Sequence, residues 1–175
     1  MPFLTGHKIE LRAIEPEDVD LLMQWENNIV NWEVSGTITP FSRNLLQQYI
    51  DNAHLDIYQV GQLRLMIQEG EGQTIGTIDI FDFDAFHHRA GVGILIGDQA
   101  KRGNGYASES LRLVKKYCFE HLGLKQIYCN ILVDNTLSLN LFQKAGFEIT
   151  GTRHQWVRSG GQYKDQHFLQ LFREE

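Results

Sequence analysis

A chain of 175 residues, 42% hydrophobic and 22% charged with three prolines, has the make-up of an ordinary globular protein, read as a single domain over residues 1–175. A formal charge of −6, from 16 Lys and Arg against 22 Asp and Glu, excludes the clustered basic surface of a nucleic-acid binder and suits a cationic ligand. No apolar run nears the ~20 residues of a membrane span, the first residues do not resemble a secretion signal, and Cys118 and Cys129 lack disulfide or metal spacing, so a cytoplasmic protein without membrane, nucleic-acid or metal partner is expected.

In chain order, "HKIELRAI" alternates like a first strand, and "EPEDVDLLMQWENN" follows as a helix opened by Pro16 and acidic residues. A second helix is predicted from Ser42 to Ala53, where Leu45, Leu46, Tyr49 and Ile50 share a face. "GQLRLMIQEGEGQTIGTIDIFDFDA" reads as a hairpin, and "RAGVGILIGD" as a central strand, apolar on both faces near Ile94, Leu95 and Ile96. A helix then carries Ala107, Leu111, Val114, Cys118 and Leu122 on one stripe and stops before Gly123. "KQIYCNILVDN" is a strand, "TLSLNLFQKAG" a short helix, and the remainder a long hairpin turning at Ser159 to Gln162, whose edge offers a route to a homo-oligomer. The order β-α-α-β-β-β-α-β-α-β-β describes a mixed α/β sheet.

The stretch "QAKRGNGYASESL" places Lys101, Arg102, Gly103 and Gly105 just where a helix begins. A helix start exposes unpaired N–H groups and the positive end of the dipole, and glycine lets a ligand approach the backbone closely. Successive amides from Gly103 to Ala107 can therefore wrap a pyrophosphate. The chain has no G-x-x-x-x-G-K-[ST] loop, and a dinucleotide G-x-G-x-x-G fails at Ser108.

"RGNGYASESL", "VDNTLSLNLFQKAGFEITG" and "GGQYKDQHFLQLF" together resemble the GNAT N-acetyltransferases, with Asn135, Ser138, Phe142, Lys144, Gly146 and Phe147 in register with that family's second motif. Within the family the likeness is to spermidine N-acetyltransferases and ribosomal-protein N-terminal acetyltransferases. The resemblance implies a mixed, mostly antiparallel sheet of about seven strands flanked by four helices, and acetyl coenzyme A (acetyl-CoA) as donor. It places the pyrophosphate on the amides of Arg102, Gly103, Asn104, Gly105, Tyr106 and Ala107, and the pantetheine arm along the backbone of Leu95 and Ile96. Asn135 would touch the end of that arm, and the helix carrying Leu139 to Lys144 would flank it. Three positions depart from the family: Phe142 where many relatives carry a Tyr acid, Gly91 where others carry Glu, and Ala100 where Gln or Arg is usual.

An alkyl ammonium has a pKa near ~10, so the acceptor must be bound as a cation and then deprotonated, and carboxylates can do both. Glu69, Glu71, Asp79, Asp82 and Asp84 fall in a stretch without Lys or Arg; Glu69, Glu71 and Asp84 read as a solvated face. Asp79, set among Ile75, Ile78, Ile80 and Phe81, needs a partner or a ligand. Asp79, Asp82 and Glu33 are the candidate catalytic carboxylates, with Glu26 a further cation site, and Tyr128 or Tyr106 the substitute acid unless solvent serves. His87, His88, the cysteines and Trp25, Trp32 and Trp156 read as loop or packing residues. The expectation is an N-acetyltransferase acting on a polyamine or other small amine, with a peptide N-terminus as the second acceptor and a non-catalytic CoA-binding module as the competing class.

Overall fold

The computed structural model describes residues 3–70 and 72–174, so Glu71 of the acidic stretch lies outside the described residues. Its strands are β1 (Ile9–Ala13), β2 (Leu63–Glu69), β3 (Thr74–Asp84), β4 (Arg89–Ile96), β5 (Gln126–Leu132), β6 (Glu148–Ser159) and β7 (Gln162–Phe172). They form a single sheet in the order β1-β2-β3-β4-β5-β7-β6. β4 and β5 run parallel, and the other pairings are antiparallel.

Six α-helices accompany the sheet rather than four: α1 (Val19–Glu26), α2 (Ile29–Ser35), α3 (Arg43–Asp51), α4 (Ile57–Val60), α5 (Tyr106–Lys116) and α6 (Thr136–Lys144). The two additional ones, α2 and α4, are too short to show a helical repeat. Local capping defines them instead: the Asn28 side chain accepts from the Val30 N–H, and the Asp56 side chain from those of Tyr58 and Gln59. Pro16–Asp18 forms a 3-10 turn, so the first helix starts later than expected. The stripe after the glycine loop also divides, α5 ending at Lys116 and a π-helical turn over Tyr117–His121 carrying Cys118 into the core.

The sheet's alternation builds a core on each face. Leu65 and Ile67 point toward α5 with Ile78, Ile80, Leu111 and Val114, whereas Met66 points the other way, to Val19, Leu22 and Trp25 of α1 and Leu46 of α3. Ile75 breaks the alternation because it is the extra residue of a bulge: Ile67 faces Gly76 but Gln68 faces Thr74. The closing hairpin turns at Gly160 and Gly161, both at positive φ, as a two-residue turn requires.

Candidate active site

The site starts where two strands part. β4 and β5 pair over three rungs, Arg89 with Gln126, Ala90 with Ile127 and Gly91 with Tyr128, and then separate. An aromatic stack fills the closed end: the Phe81 ring stands edge-on to Tyr128 at 5.9 Å, and Tyr128 leans on Phe168 at 5.2 Å. Gly91 is bare because Phe81 covers it, a Cβ there falling 2.3 Å from the ring. Beyond this rung lies a cavity of about 480 Å³, with Val92 to Leu95 on one side, Cys129 to Leu132 on the other, and Asn135, Ser138 and Phe142 of α6 along it. The opposite edge of β4 remains hydrogen-bonded to β3, with Thr77 across from Leu95 and Gly76 across from Ile96. The edge turned to the cavity is left to pair with an extended ligand.

At the end of β4 the chain turns into the glycine loop. Gly103 and Gly105 have φ of 80° and 83°, a conformation costly for other residues, and Gly105 caps α5. The loop is tied in place by Arg102 Nε, which donates to the Ile96 carbonyl at 3.0 Å, and by Asn104 Nδ2, which donates to the Lys101 carbonyl at 3.1 Å. Of the two flanking cations, Lys101 is taken by Glu69 at 2.8 Å, and the Tyr106 hydroxyl donates to the same carboxylate at 3.1 Å. The cation that replaces Lys101 comes from far away in sequence. Lys8 Nζ donates to the Asn104 carbonyl at 3.1 Å and would lie 3.5 Å from a Cβ on Gly105. Its only sequence signal is a place near the start of the first predicted strand, which predicts no contact.

Asn135 lines the cavity and caps α6, its side chain accepting from the Ser138 N–H at 3.2 Å. Lys144 sits at the exposed C-terminal end of α6 and is not among the cavity's lining residues.

The acceptor end is built on an arginine that sequence reading missed. β2 and β3 place Arg64 directly across from Asp79; Nε donates to one carboxylate oxygen at 2.7 Å and Nη2 to the other at 3.0 Å. Nη1 pairs with Glu26, held in position by its neighbour Trp25, which packs so closely under Gly97 that a Cβ there would fall 2.3 Å from the indole. Burial opposes the Arg64 charge, but Asp79 and Glu26 more than offset it and raise its pKa. The guanidinium also lies over the Tyr49 ring at 5.6 Å. Arg64 could have been found by hairpin register, which sets it opposite Asp79, except that the bulge at Ile75 shifts the counting by one.

Of the expected catalytic residues, Asp79 and Glu33 line the cavity; Asp82 and Tyr128 are not among its lining residues. Asp82 occupies a bulge at φ 47°, and its carboxylate accepts from the Tyr128 hydroxyl at 3.2 Å. Burial, with Asp82 adding to it, pushes the Tyr128 phenol up to about 12. With its hydroxyl proton given to Asp82 and its ring outside the cavity lining, Tyr128 is not placed to protonate a departing thiolate. Glu33 bonds Lys164 at 2.6 Å, which with Ser159 holds its carboxyl below the usual range. Among the described residues no group of three or more His, Cys, Asp or Glu is placed to hold a metal, and no helix is long and apolar enough to cross a membrane.

A parted β4–β5 pair, a glycine-lined helix start and an acid-lined cavity suit an acyl-CoA-dependent transferase. Residues 8–148 match the family model described as the acetyltransferase (GNAT) domain, and the chain belongs to that family. It is 23% identical over 164 residues to spermidine N(1)-acetyltransferase of Escherichia coli (strain K12), covering 92% of this chain and 84% of that protein. The SPbeta prophage-derived uncharacterized N-acetyltransferase YokL of Bacillus subtilis (strain 168) is 24% identical over 173 residues, 99% of this chain and 94% of that one. The fold matches the crystal structure of spermidine N-acetyltransferase from Vibrio cholerae in complex with CoA and spermine with a TM-score of 0.86 at 21% identity, covering 94% of this chain and 95% of that chain. Acetyl-CoA is the donor used by this family, and the residues here fit it: bare glycines at 103 and 105 for the diphosphate, and an unpaired β4 edge for the pantetheine amides.

Proposed function

We propose that this protein transfers an acetyl group from acetyl-CoA to a small primary amine, a class that includes polyamines. The observation that carries the reading is the parting of β4 from β5 over a cavity that reaches the Glu26–Arg64–Asp79 cluster. It places the open edge of β4, from Val92 to Leu95, in the same cavity as Glu26 and Asp79. In this reading the amides of Gly103 to Ala107, with Lys8 and Arg102 beside them, hold the diphosphate, and the open edge of β4 aligns the arm that ends in the thioester. Acetyl-CoA supplies an activated acyl group on a leaving group of modest basicity. Backbone N–H groups of β4 polarise the carbonyl under attack. Glu26 and Asp79 draw in the ammonium; Asp79, whose carboxylate oxygens each keep lone pairs beyond those given to Arg64, takes its proton and passes it to water. With Phe142 buried against Phe147 and Tyr128 outside the cavity lining, the sulfur departs as thiolate.

Thiol release from acetyl-CoA, followed against a panel of amines and one peptide with a free N-terminus, tests the reading. Cys118 and Cys129 are buried and pushed up to about 12, so they stay silent at assay pH and the signal reports the product. Amine-dependent release is expected, with kcat/KM rising toward the amine pKa near ~10 as the free-base fraction grows. Binding of CoA without release for any acceptor would turn the assignment toward a non-catalytic CoA-binding module.

A further inference from the structure

We propose that Arg64 determines acceptor specificity, leaving the acceptor pocket with one net negative charge and walling it off, so that it takes a primary amine with a single positive charge on an apolar body in preference to a polyamine. The inference rests on the acetyltransferase reading and narrows its acceptor.

The acceptor pocket is a second cavity of about 370 Å³ that shares Glu26, Phe41, Arg64, Asp79 and Phe81 with the cavity along the parted strands. Its charged lining is two carboxylates, Glu26 and Asp79, against one guanidinium, Arg64: two negative charges less one positive leaves one. Leu45, Leu46, Leu63 and Ile80 make much of the remaining wall. One ammonium is therefore matched, and its body has apolar surface to bury. A second ammonium on the same molecule would be desolvated against leucine and phenylalanine without a counter-ion, which is costly.

Among the described residues no other acid lines this pocket. Glu33 shares Lys164 with Asp134, Asp84 is bound to His87 and Arg89, Glu69 to Lys101, and Asp82, which accepts from Tyr128, stands outside the lining. The carboxylates a longer cation could use are Glu15 and Asp51, which line a third cavity of about 470 Å³. That cavity and the acceptor pocket meet at Tyr49, Gln62, Leu63 and Arg64, with the guanidinium stacked over the Tyr49 ring. Arg64 lines all three cavities, and so both cancels one carboxylate and stands in the wall that keeps the pocket short.

The test compares kcat/KM for phenethylamine and for spermidine, at saturating acetyl-CoA, in the wild-type protein and in Arg64→Met, which keeps an unbranched side chain but removes the charge. Wild type is expected to favour phenethylamine by about tenfold or more, and Arg64→Met to shift the ratio at least about tenfold toward spermidine. A wild-type preference for spermidine, or a ratio that Arg64→Met moves by less than about threefold, overturns the proposal. Should Arg64→Met fail to fold, Glu26→Gln serves: it brings the pocket to zero net charge and is expected to raise the phenethylamine KM about tenfold while CoA binding, read by thermal shift, is unchanged. An unaltered KM in Glu26→Gln equally overturns the proposal. Failure of the underlying reading looks different, because then no amine releases thiol from acetyl-CoA in any variant, wild type included.

Discussion

Gly105 combines two demands that no other residue type meets at once. Its φ of 83° costs an L-residue about 1–2 kcal/mol, and its bare backbone faces the position an anion takes at the start of α5. Gly105→Asp adds both the strain and a carboxylate where the diphosphate belongs. The expected outcome is loss of the CoA-induced thermal shift with the melting temperature of the unliganded protein lowered by only a few degrees; an undiminished shift would move the cradle elsewhere. Gly91 is different in kind. Its backbone is ordinary strand, and what forbids a side chain is the Phe81 ring, a neighbour ten residues back across the β3–β4 ladder. The first glycine was legible in sequence because its reason is local, and the second was not because its reason is a contact.

At the scale of elements, the proposed acceptor pocket depends on α1 being pressed onto the end of β4. Trp25 is 4% exposed and fills the space above Gly97, and the next residue, Glu26, thereby meets Arg64. Gly97→Ala must push the indole away, because the new Cβ would fall 2.3 Å from it. Overpacking of this sort costs about 1–3 kcal/mol, so melting should fall by several degrees. Displacement of α1 is expected to raise the amine KM more than it weakens CoA, since the cradle sits on α5; equal loss of both would show that Trp25 supports the whole sheet and not the acceptor side alone. The glycine loop, α5 and α6 follow the predicted pattern closely, with Asn135 and Gly105 at the caps. The acceptor side follows it least. α2 shows solvent Ile29, Val30 and Val34 and buries Asn31, so no apolar stripe marks it as a helix.

For the molecule as a whole, Arg12 and Asp18 join β1 to the turn that leads into α1. Arg12 forks onto both oxygens of Asp18 at 2.8 and 2.7 Å, and Asp18, 4% exposed in its side chain, also accepts from the Glu15 N–H. Burial pushes the Asp18 carboxyl up, but the Arg12 bond and the Glu15 amide together pull it lower still. A native pKa below the unfolded value stabilises above the unfolded value near ~3.9 and loses that stabilisation as pH falls through the native one. Wild type is expected to lose stability as pH drops below about 4. Asp18→Asn should be less stable at pH 7 by about 1–3 kcal/mol, since it removes the charge-assisted fork while Gln68 and Thr74 still hold the guanidinium, yet flatter across the acid window. Denaturant midpoints at pH 7 and at successive steps below pH 4 check both halves; parallel slopes for the two proteins would remove Asp18 from the account.

What the amino-acid order determined by itself was short-range: the strand and helix periods, the caps, the turn at Gly160 and Gly161, and the positive-φ glycines before α5. Each follows from the backbone preferences of neighbouring residues, and so survives without knowledge of what packs where. Tertiary structure decided the charge state and shape of the acceptor end. Asp79 is marked by sequence as an acid in need of a partner, but whether that partner is substrate or Arg64 depends on strand register, on one bulge at Ile75 and on a helix packed over the same face of the sheet. Electrostatic pairing acts through space, over a few ångströms, between residues 15 and 38 positions apart.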